Sequence, residues 1–108
     1  MEYVSLEEGK KFLKQVPGKI TVVFEEASNG LKKGIKTIKY INKDLRFPQF
    51  ISQFQKKLHL KSEDALFFLV KGKNALVGNL TFQEIYNKFK DKDGLLYITY
   101  ARELVWGN

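Results

Sequence analysis

An apolar stripe in the middle of the chain limits the possible folds more than any other feature of the sequence. Its five members recur at helical spacing: Phe47, Phe50, Ile51, Phe54 and Leu58. This spacing places them on one face of an α-helix, and such a face must be buried against another element. Asp44, just before the stripe, is a residue type that often occupies a helix N-cap. We therefore predict a long central helix, with Asp44 as its N-cap, that covers a sheet.

Two strands are predicted before this helix. Ile20–Phe24 is rich in β-branched residues, and Ile35–Ile41 alternates apolar and polar side chains, as strands do. Ser28-Asn29-Gly30 lies between them and consists of residue types that favour turns. Because the connection is short, the two strands should be antiparallel neighbours in a hairpin.

Three further elements are predicted after the helix. Ala65–Val70 is a short apolar run bounded by polar residues, which favours a buried strand. Thr81 and Glu84 have the spacing of a capping box and open a short helix. The apolar face of that helix comprises Phe82, Ile85, Tyr86 and Phe89. Gly94, preceded by an aspartate, ends the helix, and Leu95–Tyr100 is the last strand.

At the N-terminus, Ser5 and Glu8 form another capping-box pattern, which predicts a short helix through about Lys14. The complete order fits an α+β fold of the β-grasp (ubiquitin-like) type. This fold comprises a mixed four-stranded sheet, a central helix, one short N-terminal helix and a flexible C-terminal tail. We predict a single domain over residues 1–108, with 1–18 as the N-terminal helical extension, 19–100 as the β-grasp core and 101–108 as a C-terminal tail.

Composition excludes several classes of chemistry. The chain has no cysteine and one histidine, His59, which lies between two leucines. Thiol catalysis, disulfides and thiolate metal sites are thus excluded, and no serine–histidine–aspartate or metal-ligand pattern appears. We therefore expect no enzymatic activity, no cofactor and no metal site, and we assign His59 no function.

The charge of the chain favours acidic partners. A formal charge of +7 and a pI near 9.6 suit phosphates, anionic lipid headgroups or acidic peptides. No zinc-binding spacing, helix-turn-helix signal or aromatic-basic strand motif appears, so nucleic acid is not an expected partner. No apolar run approaches the roughly 20 residues of a membrane span, and no secretory signal is seen, so we expect a cytoplasmic protein.

Five segments of the chain resemble the autophagy ubiquitin-like modifiers, in particular the lipid-conjugated GABARAP and light-chain-three proteins. The segments are Lys39-Tyr40-Ile41, Asp44-Leu45, Gln49-Phe50, the run from Lys90 to Tyr100, and Trp106-Gly107. The similarity runs from about Lys19 to Gly107. The Lys-Asp-Lys-Asp-Gly sequence that leads into the last strand is its most specific part.

The resemblance implies that Gly107 is the conjugated residue. Family members are cut by a protease after this glycine, carried by cysteine-dependent activating and conjugating enzymes, and joined to phosphatidylethanolamine. Asn108 would then be removed. Trp106 is a large apolar residue on the predicted tail, and because an exposed apolar side chain usually meets a partner surface, we expect it to contact these enzymes. By this resemblance the protein would associate with the autophagosomal membrane after lipidation. Glycine suits the position because a residue without Cβ fits narrow enzyme channels.

The resemblance also implies a surface that binds short peptide motifs on cargo receptors and autophagy machinery. In these motifs an aromatic and an aliphatic residue are flanked by acids, and the peptide adds as a strand to an open sheet edge, here Lys36 to Ile41. The first of two apolar pockets would be lined by Thr21, Val23, Lys39, Ile41 and Leu95. The second would be lined by Tyr40, Leu45 and Phe50. The basic residues expected to meet the acidic flanks are Lys19, Lys39 and Lys57.

The sequence departs from the family pattern at several of these positions. The family usually has proline at Thr21, phenylalanine at Leu95, an apolar residue at Gln53 and one more residue in the loop at Asn42-Lys43. The leading segment is also shorter than the two N-terminal helices of lipid-conjugated members. A membrane-tethering role of those helices is therefore not carried over.

Two alternatives remain open at this point. The short leading segment and Trp106-Gly107 also resemble the autophagy-related protein twelve modifiers, which are attached to a lysine of a partner protein. Those modifiers usually expose their glycine without processing, so a native Asn108 favours the lipid-conjugated family. The other alternative is a β-grasp interaction domain that is never conjugated, which deletion of Gly107 would distinguish from a modifier.

Overall fold

The computed structural model describes residues 2–3, 16–28, 31–60, 65–71 and 74–101. Their strands and helices are, in chain order, β1 (Glu2–Tyr3), β2 (Lys19–Ser28), β3 (Leu31–Asn42), α1 (Phe47–Lys57), β4 (Phe67–Val70), β5 (Asn74–Ala75), α2 (Phe82–Phe89) and β6 (Leu96–Ala101). Within these ranges no helix is long and apolar enough to cross a membrane. The predicted helix from Ser5 and the turn at Asn29-Gly30 lie outside the described residues.

The strands form one mixed sheet of six strands in the order β1-β3-β2-β6-β4-β5. β2 is antiparallel to β3 and parallel to β6, and β6 is antiparallel to β4. The four predicted strands are the four central ones, so the predicted α+β fold of the β-grasp type is confirmed. β1 and β5, at the two edges, have no counterpart in the prediction because a strand of two residues shows no periodicity.

The aromatic stripe of α1 packs on one face of this sheet. Phe50 and Phe54 stack on Phe24 of β2, with ring centroids 5.3 and 5.6 Å apart. Phe54 also contacts Tyr100 of β6 in an edge-to-face arrangement, with centroids 4.9 Å apart. The predicted central helix is thus confirmed, and its rings join β2 and β6 in a common core.

The start of α1 differs from the prediction. Asp44 is not the N-cap, because the helix begins at Phe47 and Arg46 occupies the N-cap position. The backbone N–H of Asp44 donates instead to the side-chain oxygen of Asn42, at 2.9 Å. The backbone N–H of Phe47 donates to the Leu80 carbonyl at 2.8 Å, which holds the residues before the helix against the segment that precedes α2. The local sequence also favours this start, because Pro48 lies in the first turn and the Gln49 side-chain oxygen accepts from the backbone N–H of Arg46 at 3.2 Å.

The cap of α2 agrees with the prediction. Thr81 Oγ1 accepts from the backbone N–H of Glu84 at 3.2 Å, and Glu84 Oε1 accepts from the backbone N–H of Thr81 at 3.1 Å. The hydrogen bonds from Thr81, first of all from its backbone, hold the pKa of the Glu84 carboxyl below its ordinary value. After the helix, Gly94 has a φ of +83°, a conformation that favours glycine and turns the chain into β6.

Truncation of the central ring tests this core. Phe54 is almost fully buried, so Phe54→Ala removes its contacts with two strands and leaves a cavity. We expect the free energy of unfolding, measured by urea denaturation, to fall by about 3–5 kcal/mol. The control Gln53→Ala, at the exposed neighbouring position, should change it by less than about 0.5 kcal/mol. If both variants unfold at the same urea concentration, this account of the core is wrong.

Candidate functional site

The pairing of β2 with β3 determines which predicted docking residues share a face of the sheet. Directly opposite residues of an antiparallel pair point to the same side. Lys39 lies opposite Val22, and Ile41 lies opposite Ile20. Val22 and Ile20 belong to the core that α1 covers, so this side of β3 borders the helix. We call it the helix face.

Other predicted docking residues lie on the opposite side, which we call the second face. Thr21 lies opposite Tyr40, and Val23, two residues further along β2, points to the same side. Leu95 immediately precedes β6 and is buried, but it is not part of the core that includes Leu96. Strand alternation therefore puts three residues of the predicted first pocket on the second face.

The structure thus groups the pocket residues differently from the sequence prediction. Lys39 and Ile41, predicted for the first pocket, lie on the helix face, where Leu45 and Phe50 of the second pocket join the same core. Tyr40, also predicted for the second pocket, lies on the second face and is 40% exposed, whereas Phe50 is 2% exposed. Assigning the family's pocket residues to this sequence position by position ignores the register between β2 and β3. That register decides the side of the sheet on which each residue lies.

The helix face carries two neighbouring lysines, Lys39 of β3 and Lys57 at the end of α1. The Lys39 ammonium lies 5.8 Å from the centroid of the Phe50 ring and 5.9 Å from that of Phe54. Burial, and then the Lys57 ammonium, lower the pKa of Lys39 to about 8. Lys39 is therefore mostly charged at neutral pH, with a like charge beside it. A carboxylate that approaches both lysines relieves their repulsion.

The other two basic residues are placed differently. Lys36 lies opposite Glu25, and its ammonium is 3.5 Å from the Glu25 carboxylate. Lys36 therefore already has an acidic partner within the chain. Lys19 is exposed at the start of β2, opposite Asn42 at the end of β3. The pair of lysines on the helix face is accordingly the better site for an acidic group of a ligand.

The predicted open edge, from Lys36 to Ile41, is not open along its whole length. β1 pairs antiparallel with β3, with Glu2 opposite Ile38 and Tyr3 opposite Thr37. Beyond this pairing, toward the C-terminal end of β3, no strand within the described part of the chain covers the edge. Sequence reasoning missed β1 because two residues give no periodic pattern. The candidate docking edge is therefore partly occupied by the chain itself.

The last described strand, β6, lies in the middle of the sheet. β6 ends at Ala101, which is 1% exposed and lies opposite Phe67 of β4. Gly107, with Trp106 before it and Asn108 after it, lies outside the described residues. The predicted conjugation site therefore stays a prediction at this stage, while its point of departure from the sheet is defined.

A groove elsewhere on the surface is lined by Lys71, Phe89, Asp91 and Tyr97. The Tyr97 hydroxyl donates to the Asp93 carboxylate, and burial, followed by this hydrogen bond, raises the pKa of Tyr97. Across the described ranges, no group of three or more histidine, aspartate or glutamate side chains could hold a metal ion. We assign the groove no catalytic role.

Comparison with known proteins gives two similarities over most of the chain. The model of the family described as "Autophagy protein Atg8 ubiquitin like" matches residues 5–107. Among solved structures, the crystal structure of Trypanosoma brucei ATG8 is similar, with a TM-score of 0.68 and 29% sequence identity. That match covers 94% of this chain and 87% of the other. The resemblance to the autophagy ubiquitin-like modifiers is thus confirmed.

Removal of the neighbouring charge tests the electrostatics of the lysine pair. In Lys57→Gln the repulsion on protonated Lys39 is lost, so the pKa of Lys39 should rise from about 8 toward 10.5. The rise should be incomplete because burial, the larger cause, remains. NMR titration of the lysine side-chain carbons measures this pKa. Lys56→Gln, at the exposed neighbouring position, is the control, and an equal Lys39 pKa in both variants would refute the assignment.

Proposed function

This chain belongs to the Atg8 ubiquitin-like family of autophagy proteins, and on that premise we propose that it is a modifier processed after Gly107 and conjugated through it to phosphatidylethanolamine. The observation that carries the proposal is the family match, which extends over residues 5–107 and so includes the tail glycine. The likeness to the Trypanosoma brucei ATG8 structure over 94% of this chain supports it. After lipidation the protein would associate with the autophagosomal membrane.

In this role the chain is a substrate of enzymes and not itself an enzyme. The carboxyl group of Gly107 is activated as an adenylate, held as a thioester on enzyme cysteines, and transferred to the amine of phosphatidylethanolamine. The nucleophilic thiols belong to those enzymes, which agrees with a chain that has no cysteine. A processing protease first removes Asn108 and exposes the glycine carboxylate.

The position of β6 supports this use of the tail. β6 lies between β2 and β4: Tyr100 pairs with both neighbouring strands, and Ala101, the last residue of β6, pairs with Phe67 of β4. Gly107 follows Ala101, the last residue of β6, by six positions. At about 3.3 Å for each residue, six residues span at most roughly 20 Å when fully extended, which is the greatest distance at which the glycine could lie from Ala101. That distance lets the glycine enter an enzyme channel while the folded domain stays outside.

We further propose that the edge of β3 binds peptides in which an aromatic and an aliphatic residue are flanked by acids. Cargo receptors and autophagy machinery would carry these peptides. The lysine pair of the helix face, Lys39 and Lys57, favours a carboxylate because each ammonium raises the energy of the other. The backbone of β3 supplies hydrogen bonds for an added strand, and Tyr40, which is 40% exposed, supplies apolar contact.

Reconstituted conjugation tests the tail. The chain ending at Gly107 is incubated with matched activating and conjugating enzymes and with phosphatidylethanolamine liposomes. We expect a lipid adduct on Gly107, identified by mass spectrometry, because the exposed glycine carboxylate is the acyl donor. The 1–108 chain should form this adduct only when the processing protease is added. The chain ending at Trp106 is the negative control and should form none.

Two results would contradict this proposal in different ways. An adduct on a protein lysine, with none on lipid, would indicate a modifier of the autophagy-related protein twelve type. Full autophagic function of a chain that lacks Gly107 would indicate a β-grasp interaction domain that is never conjugated.

Docking should depend on pH through Lys39, which is charged below its pKa of about 8 and neutral above it. The affinity for an acid-flanked peptide, measured by fluorescence anisotropy, should therefore fall as the pH rises from about 7 to about 9.5. Lys39→Gln should weaken binding roughly fivefold at neutral pH and remove this pH dependence. Lys56→Gln is the matched control and should behave like the unmodified chain. An affinity that Lys39→Gln leaves unchanged would place the peptide elsewhere.

A further inference from the structure

The N-terminal strand β1 lies on the same edge of β3 to which the proposed function assigns the peptide. Glu2 is opposite Ile38, and Tyr3 is opposite Thr37. From this juxtaposition we propose that β1 is an intramolecular competitor, so that a peptide must displace the chain's own N-terminus to extend the sheet. The inference rests on the proposed docking function and concerns its regulation.

Competition follows from the nature of a sheet edge. The outward N–H and C=O groups of one strand can be paired by one neighbouring strand at a time. Thr37 and Ile38 lie inside the edge from Lys36 to Ile41 on which a peptide would add. While β1 is paired there, a peptide can use only the part of the edge on the C-terminal side of Ile38. A bound peptide and a paired β1 therefore exclude one another at these two residues.

The chemistry of β1 is also that of the proposed ligand. Glu2 is an acid, and Tyr3 is an aromatic residue. By sequence, Tyr3 is followed at the third position by an aliphatic residue, Leu6, and then by two glutamates. An aromatic and an aliphatic residue flanked by acids thus occur at the chain's own N-terminus.

The size of β1 sets the strength of this competition. Pairing over two residues forms only about one or two backbone hydrogen bonds, and each stabilises the sheet by only about 1 kcal/mol net. β1 therefore opens readily and competes with a peptide without blocking the site. The apparent dissociation constant of a peptide equals its intrinsic value divided by the fraction of chains whose edge is unoccupied. Weakening of β1 should therefore tighten peptide binding by about three- to tenfold.

The test compares the full chain with the double variant Glu2→Pro/Tyr3→Pro, in which both residues of β1 lose the N–H that a sheet ladder needs. The probe is a synthetic peptide with one aromatic and one aliphatic residue flanked by glutamates. Its affinity for each chain is measured by isothermal titration calorimetry. Lys39→Gln in both backgrounds shows whether the measured binding is at the edge of β3. Hydrogen exchange of the β3 amides provides a second readout that does not require a peptide.

Tighter binding by the double variant, together with faster exchange of amides between Lys36 and Tyr40, would support the inference. Equal affinity and equal exchange in the two chains, with binding still weakened by Lys39→Gln, would overturn the inference and leave the docking function intact. No peptide binding by either chain would overturn the docking function and the competition with it. If the affinity of the unmodified chain for the peptide weakens as the concentration of the chain rises, the competing strand belongs to a second copy. That result would overturn the proposal that the competition is intramolecular.

Discussion

The stacking of Phe50 and Phe54 on Phe24 is the contact on which the rest of the structure depends. It holds α1 across the sheet and brings the end of the helix beside β3. The same two α1 rings lie 5.8 and 5.9 Å from the Lys39 ammonium, and Lys57 is brought next to it. The apolar core therefore produces the partial burial and the like-charge pair that lower the pKa of Lys39. A contact that stabilises the fold also sets the electrostatics of the candidate docking edge.

Local sequence patterns predicted the four central strands and the two described helices: helical spacing for α1, alternation for β3, a continuous apolar run for β4 and a capping box for α2. The start of α1 was predicted too early at Asp44, because Pro48 in the first turn and Gln49, whose side-chain oxygen accepts from the backbone N–H of Arg46, fit a helix that begins at Phe47. The grouping of the pocket residues could not be predicted, since the side on which each residue lies depends on the register between β2 and β3. β1 is recognisable only by its pairing with Thr37 and Ile38.

The two proposed activities use different strands of one sheet. The tail that ends in Gly107 continues from β6 at the centre, and the docking surface lies on β3, with β2 between them. Attachment through the tail therefore leaves the edge of β3 accessible to a partner. β1 lies on the far side of β3 from β6, so the N-terminus can modulate docking without contact with the strand that carries the tail. The strand that carries the tail, the strand proposed to bind peptides and the strand proposed to compete with them are therefore three different strands of the sheet.

The intact mass of the protein recovered from the membranes of its own cells during autophagy tests the central claim most directly. If the chain is a lipid-conjugated member of its family, the mass should equal that of residues 1–107 plus phosphatidylethanolamine, less the one water lost when the amide bond forms, with Asn108 absent and the lipid on Gly107. A membrane-bound chain that retains Asn108 and carries no lipid, or a chain joined through Gly107 to a protein lysine, would contradict the claim.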